Sequence, residues 1–195
     1  MIQNVLCFLE ESAEAYPHKT AFADEHTSLT YRGLSDLSMR IGSVLGQKTG
    51  PRRPVPVLAE KNVFTLTAFM GIVRAGCFYV FLDAGQPAER LNRILDTLQA
   101  DLMIADKESL SLAGPVSFSG EILPLEDLMS LPDDALNPGL LASIRRQSTD
   151  TDPLYGIFTS GSTGVPKGVV ASHRSVIDFI GHFTDLFHIT QDLSL

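Results

Sequence analysis

The sequence predicts an α/β fold, a layered and largely parallel sheet flanked by helices. Strand-like runs alternate with segments of helical periodicity along the chain, which is the order of a parallel sheet with helical crossovers. Cys77–Leu82 and Leu102–Ala105 are continuously apolar, the pattern of strands covered on both faces. With 195 residues, 44% of them apolar, the chain can bury roughly 70% of its unfolded surface, which excludes a disordered chain.

Each element follows from its residues. Gln3–Tyr16 places Val5, Leu6, Leu9 and Ala13 on one helical face and is ended by Pro17. Thr20–Ala23 and Ser28–Tyr31 read as extended. Thr30 can cap a helix carrying Leu34, Leu37, Ile41, Val44 and Leu45 at spacings of three and four. A Gly-Pro-rich turn leads to an extended Val55–Leu58. Asn62 can cap a helix that is apolar on nearly every side (Phe64, Leu66, Phe69, Met70, Ile72, Val73) and stops at Gly76, so it is expected between layers. After Cys77–Leu82, Pro87 suits a first helical position, followed by the stripe Leu91, Ile94, Leu95 and Leu98. Residues 107–152 read as a loop-rich connection with one strand at Glu121–Leu123 and one short helix at Leu125–Met129. Leu154–Phe158 and Gly168–Ala171 are strand-like. Ser172 can cap a last helix with the stripe Val176, Phe179, Ile180, Phe183 and Phe187.

Composition narrows the function classes. The 15 Lys and Arg stand against 23 Asp and Glu, a net charge of −8, which argues against a nucleic-acid or anionic-membrane partner. Cys7 and Cys77 form no CxxC and read as small core residues. No run approaches the roughly 20 apolar residues of a membrane helix, and the first residues lack the basic start of a signal peptide, so a cytoplasmic location is expected. Glu10, Glu11 and Glu14 read as a solvated face. His18 and His26 have no ligand-spaced partner, so no metal site is expected, and His182 and His188 read as surface residues.

One segment carries chemistry. Thr159-Ser160-Gly161-Ser162-Thr163-Gly164-Val165-Pro166-Lys167-Gly168 directly follows an apolar strand and concentrates four hydroxyls, three glycines and a lysine. Glycines let the backbone approach a polyphosphate and turn N–H groups toward it; hydroxyls add donors, and Lys167 adds a mobile cation. It is not a Walker A loop, because Pro166 precedes Lys167 and Gly168-Val169-Val170 returns to strand character. It also lacks the G-x-G-x-x-G spacing of dinucleotide folds.

Thr159–Gly168 resembles the phosphate-binding signature of the adenylate-forming (AMP-binding) superfamily, which includes acyl-CoA synthetases, luciferases and amino-acid adenylation domains. His173 falls where that family usually has a histidine after the loop; the residues alone leave open whether it orients the loop or only begins a helix. Ser28-Leu29-Thr30-Tyr31-Arg32-Gly33-Leu34 and the run Gly71–Asp83 resemble the family's first two core motifs, with Phe81 and Ala84 where the family usually has Pro. Pro87-Ala88-Glu89-Arg90-Leu91 is most similar to the amino-acid-activating branch, which holds nonribosomal peptide synthetase adenylation domains and D-alanine carrier-protein ligases.

The resemblance spans residues 1–195 and implies the N-terminal part of an ATP-dependent ligase. Its nucleotide-binding residues would be Thr159, Ser160, Gly161, Ser162, Thr163, Gly164, Pro166, Lys167, Gly168 and His173. It also implies ATP with Mg2+, an amino-acid or other carboxylate substrate, and a carrier protein bearing phosphopantetheine. The family's pocket motifs, its acidic residues for magnesium and ribose, and its catalytic lysine have no counterpart in these 195 residues, so the chain is expected to be inactive alone. An acyl-CoA synthetase-type ligase and a non-catalytic binding module are the competing expectations.

Overall fold

Short polar side chains start several of the helices that the sequence marks. The computed structural model describes residues 2–159 and 166–189. Thr30 accepts the N–H of Gly33 at 3.1 Å and opens α2 (Tyr31–Lys48), behind α1 (Leu6–Ala15) and the antiparallel pair β1 (Thr20–Ala23) and β2 (Ser28–Thr30). Asn62 accepts from Thr65 at 3.0 Å and opens α3 (Val63–Arg74).

The main sheet has six strands: β3 (Pro54–Leu58), β4 (Phe78–Leu82), β5 (Leu102–Ala105), β6 (Glu121–Pro124), β7 (Pro153–Thr159) and β8 (Lys167–Ser172), in the order β6-β5-β3-β4-β7-β8. All neighbouring pairs are parallel except β7 with β8. The C-terminal ends of β3 to β7 therefore share one edge, where open α/β sheets usually hold their ligands.

Alternating side chains feed two cores. Val57, Leu102 and Ile104 face α2 and α3 together with Ile41, Leu45 and Ile72. Leu58, Val80, Leu82 and Met103 face α4 (Ala88–Leu98) with Leu91, Ile94 and Leu95. A third cluster of Leu6, Val73 and Leu154 seats α1.

Between α2 and α3 the backbones meet at a glycine. A Cβ on Gly71 would fall 2.6 Å from Ile41 Cβ, so only hydrogen fits there.

Several expectations are corrected. The strand and short helix expected within 107–152 are present as β6 and α6 (Leu125–Met129), but the stretch also holds α5 (Lys107–Ala113), a 3₁₀ turn at Asp133–Ala135 and α7 (Pro138–Gln147) and is less loop-rich than expected. Asp106 and Asn137 cap α5 and α7 through the N–H groups of Ser109 and Leu140. Pro87 precedes α4 in an extended conformation and is not its first residue. Phe64 and Leu66 of α3 are exposed, so that helix is covered on fewer sides than its composition suggests. Cys77 is buried, whereas Cys7 is half-buried and receives an N–H from Arg145 at 2.9 Å. Glu10, Glu11 and Glu14 are exposed as expected, and Glu10 in addition pairs with Arg74 at 2.8 Å and lies 3.6 Å from Arg145.

The last helix, α8 (His173–Leu186), departs most. Ser172 caps it as expected, yet Phe179, Phe183 and Phe187 are 64%, 41% and 59% exposed. Only the Val176 side of its stripe packs inward. The three rings lie tilted against one another in a row, with centroids 5.6 and 4.5 Å apart. Among the described residues no helix is long and apolar enough to cross a membrane.

Candidate functional site

The hydroxyl- and glycine-rich segment joins β7 to β8. Their register pairs Phe158 with Gly168 and Thr159 with Lys167, so the segment leaves the sheet at the C-terminal edge of the parallel strands. Ser160, Gly161, Ser162, Thr163 and Gly164 lie outside the described residues. At its two feet, Thr159 and Lys167 are both exposed, and Thr159 Oγ1 donates to the Lys167 carbonyl at 3.5 Å. Pro166 is buried beside them.

Gly168 lies tight against its neighbour. A Cβ there would lie 3.1 Å from Phe158 Cζ, so the ring rests directly on bare backbone. Packing one strand's ring on the other's glycine holds the two feet in register without side-chain bulk at the edge.

His173 is placed apart from Lys167. Lys167 opens β8 and His173 follows its last residue, six residues and about 20 Å further along an extended strand. The imidazole is 3% exposed, and its Nδ1 accepts the N–H of Val5 at 3.3 Å. Burial pushes its pKa down to about 4 against the pull of Asp152. This end of the hairpin is pinned further by ion pairs. Arg52 Nε donates to Asp152 at 2.8 Å, and Arg174 grips Asp150 with two hydrogen bonds of 2.9 and 3.0 Å. Burial raises the Asp152 carboxyl, but the Arg52 and Thr149 hydrogen bonds outweigh it and hold that group below the usual carboxylate range.

Sequence reasoning assigned no contact to Arg90. It stands in the first turn of α4, where Nε donates to Gln86 at 2.8 Å and Nη2 to the Phe158 carbonyl at 3.3 Å. The Gln86–Arg90 spacing of four at a helix start was the available signal; the Phe158 contact was not legible from spacing. Among the described residues, no group of three His, Cys, Asp or Glu side chains is arranged to bind a metal.

The backbone is that of a known class. It superposes with a TM-score of 0.78 on the fatty acyl-adenylate ligase from L. pneumophila, at 22% identity, covering 96% of this chain and 33% of that one. It superposes with a TM-score of 0.80 on the nonribosomal peptide synthetase FmoA3 in its α-methyl-L-serine-AMP-bound form, at 25% identity, covering 96% of this chain and 20% of that one. The fold is thus the one found in the N-terminal part of adenylate-forming enzymes.

Residues 9–193 match the AMP-binding enzyme family, and the chain belongs to it. Among curated relatives it is 38% identical over 168 residues to surfactin synthase subunit 1 of Bacillus subtilis, covering 86% of this chain. It is 30% identical over 183 residues to tyrocidine synthase 1 of Brevibacillus parabrevis, covering 93% of this chain. The chain spans 4% and 16% of the length of those two proteins.

Proposed function

We propose that this chain supplies the phosphate-binding part of an ATP-dependent, AMP-forming ligase that activates an amino acid or a related carboxylate in the cytoplasm. In that reaction a carboxylate oxygen attacks the α-phosphorus of ATP and the bond to pyrophosphate breaks, leaving an acyl-adenylate. The acyl carbon then passes to the phosphopantetheine thiol of a carrier protein, and AMP departs. The observation that supports this reading is that Thr159 and Lys167, which flank the hydroxyl- and glycine-rich residues in sequence, pair with each other at the C-terminal edge of the parallel strands. The amino-acid branch is favoured by the Pro87–Leu91 run and by the peptide-synthetase relatives.

The residues have distinct tasks. Negative charge grows on the phosphate oxygens during attack, and donors fixed in advance stabilise it without reorganisation. Lys167 brings a cation to the foot of the segment, and Thr159 and its neighbouring hydroxyls bring donors. Mg2+ would arrive with the nucleotide and neutralise phosphate charge; no residue described here is assigned to it. His173, by its place, serves α1 and the base of the hairpin.

Magnitudes set the expected affinity. Three or four hydrogen bonds to a charged group contribute roughly 5–10 kcal/mol, and association costs an estimated 4–15 kcal/mol. The 195-residue chain should therefore bind ATP no better than about millimolar. Titration with MgATP followed by NMR is expected to show saturable shifts at residues flanking the segment, with Lys167→Ala weakening binding about fivefold or more. No binding at about 10 mM, a concentration well above the expected Kd, overturns the phosphate role. The chain alone should also give no amino-acid-dependent ATP–pyrophosphate exchange; robust exchange would refute its inactivity.

A further inference from the structure

Arg90 lies outside the run that resembles the phosphate signature, yet it is joined to Phe158, the residue that precedes that run. The register between β4 and β7 pairs Tyr79 with Tyr155 and Val80 with Gly156 and goes no further. Ile157, Phe158 and Thr159 extend past that paired part, held on their other side by β8. Half-buried Arg90, from α4, supplies a further contact, donating from Nη2 to the Phe158 carbonyl at 3.3 Å. Its Nε donates to Gln86 Oε1 at 2.8 Å, and the Gln86 N–H donates in turn to the Asp83 carbonyl at 3.1 Å. A chain of hydrogen bonds thus links the turn after β4, through α4's first turn, to the penultimate residue of β7.

The chemistry suits an arginine. A guanidinium presents donors in fixed, diverging directions, so one side chain can hold two acceptors at a set angle. An ammonium has no such fork. The bonded carbonyl belongs to Phe158, whose ring lies on Gly168, so a shift at Phe158 moves both feet of the segment together.

We propose that Arg90 is a positioning residue: by holding the Phe158 carbonyl it sets where the β7–β8 hairpin carries Thr159 and Lys167 beyond the sheet edge. Its consequence for nucleotide binding rests on the function proposed above; its consequence for the hairpin does not.

The test compares the 195-residue chain with Arg90→Ala, Arg90→Lys and Gln86→Ala, by amide hydrogen exchange and by MgATP titration. In Arg90→Ala, amides of residues 157–159 and 167–169 should exchange about tenfold faster or more, while those of Met103 and Ile104 in β5 stay unchanged. Arg90→Lys should restore part of the protection, because one acceptor is still reached, and Gln86→Ala should lose less than Arg90→Ala. The Kd for MgATP should rise about threefold or more in Arg90→Ala and recover in part in Arg90→Lys. Unchanged exchange at the hairpin, or equal acceleration in β5, overturns the proposal. A hairpin response in a chain that binds no MgATP upholds the positioning and refutes the phosphate role instead.

Discussion

The backbone N–H of Val5 donates to the Nδ1 of His173 across 3.3 Å, joining the segment before α1 to the first residue of α8. That geometry requires a neutral ring with Nδ1 as acceptor. Burial pushes the His173 pKa from its usual 6.5 to about 4; Asp152 and Asp150 pull it up, and Arg145 pushes it down. Below pH 6.5 the unfolded chain takes a proton there and the folded chain does not, so the stabilisation present above pH 6.5 is lost as pH falls toward 4. Between pH 7 and 4.5 this one ring should remove about 2–3 kcal/mol of unfolding free energy. Urea denaturation across that window tests it: His173→Gln should be less stable at pH 7 and show a flatter pH dependence. An unchanged slope would refute the assignment.

Arg74 is a second long-range tie. Its side chain is 9% exposed, and its guanidinium reaches Glu10 on α1 at 2.8 Å and the Ser35 and Ser38 hydroxyls of α2 at 3.2 Å each. Burial lowers its pKa while Glu10 pulls it back up. Removing the carboxylate leaves a buried cation short of its counter-charge, which costs several kcal/mol in a dry site. Glu10 is partly exposed, so Glu10→Ala should cost about 1–2 kcal/mol in thermal or chemical unfolding. Glu11→Ala on the same helix should stay within about 0.5 kcal/mol.

These two ties mark the boundary of what the sequence makes legible. Local signals were sufficient where partners are near in sequence: Thr30, Asn62 and Ser172 each cap the helix expected of them. The buried strands were visible because β5 is apolar at every position, as a strand covered on both faces must be. Glu10 is exposed as its face suggested, but its ion pair was not legible because the arginine is 64 residues away. The helix α7 was hidden by its small, weak apolar stripe, although Asn137-Pro138 holds both a cap and a first-turn proline. Of the candidate site, residue types and order were readable. The separation of His173 from Lys167 was not, since it depends on β8 running straight from one to the other.

The aromatic stripe of α8 reads as core by periodicity, yet its outer rings face solvent. Exposed apolar groups contribute little to folding and much to association. Phe179→Ser with Phe183→Ser should therefore change unfolding free energy by less than about 1 kcal/mol. The same pair should lower binding of a hydrophobic dye and raise the concentration at which the chain self-associates. A loss of several kcal/mol, as for truncation of buried phenylalanines, would show that these rings are covered in solution.

Gly71 sets the distance between α2 and α3. Any side chain there meets Ile41, whose own Cβ lies 2.6 Å from where a Cβ would stand. The obstruction is at the root of a β-branched residue on a helix, so no rotamer change relieves it and the helices must separate. Gly71→Ala should cost about 2–3 kcal/mol, outweighing the roughly 1 kcal/mol that alanine gains over glycine in a helix. Ile41→Ala should give back only part of that loss, since it removes the branches and leaves the Cβ. A double-mutant cycle read by urea denaturation checks this: strong coupling is expected between Gly71 and Ile41 and none between Gly71 and Leu95, which lies on the other face of the sheet. Gly71→Ala without loss of stability would mean that the two helices do not pack at this distance.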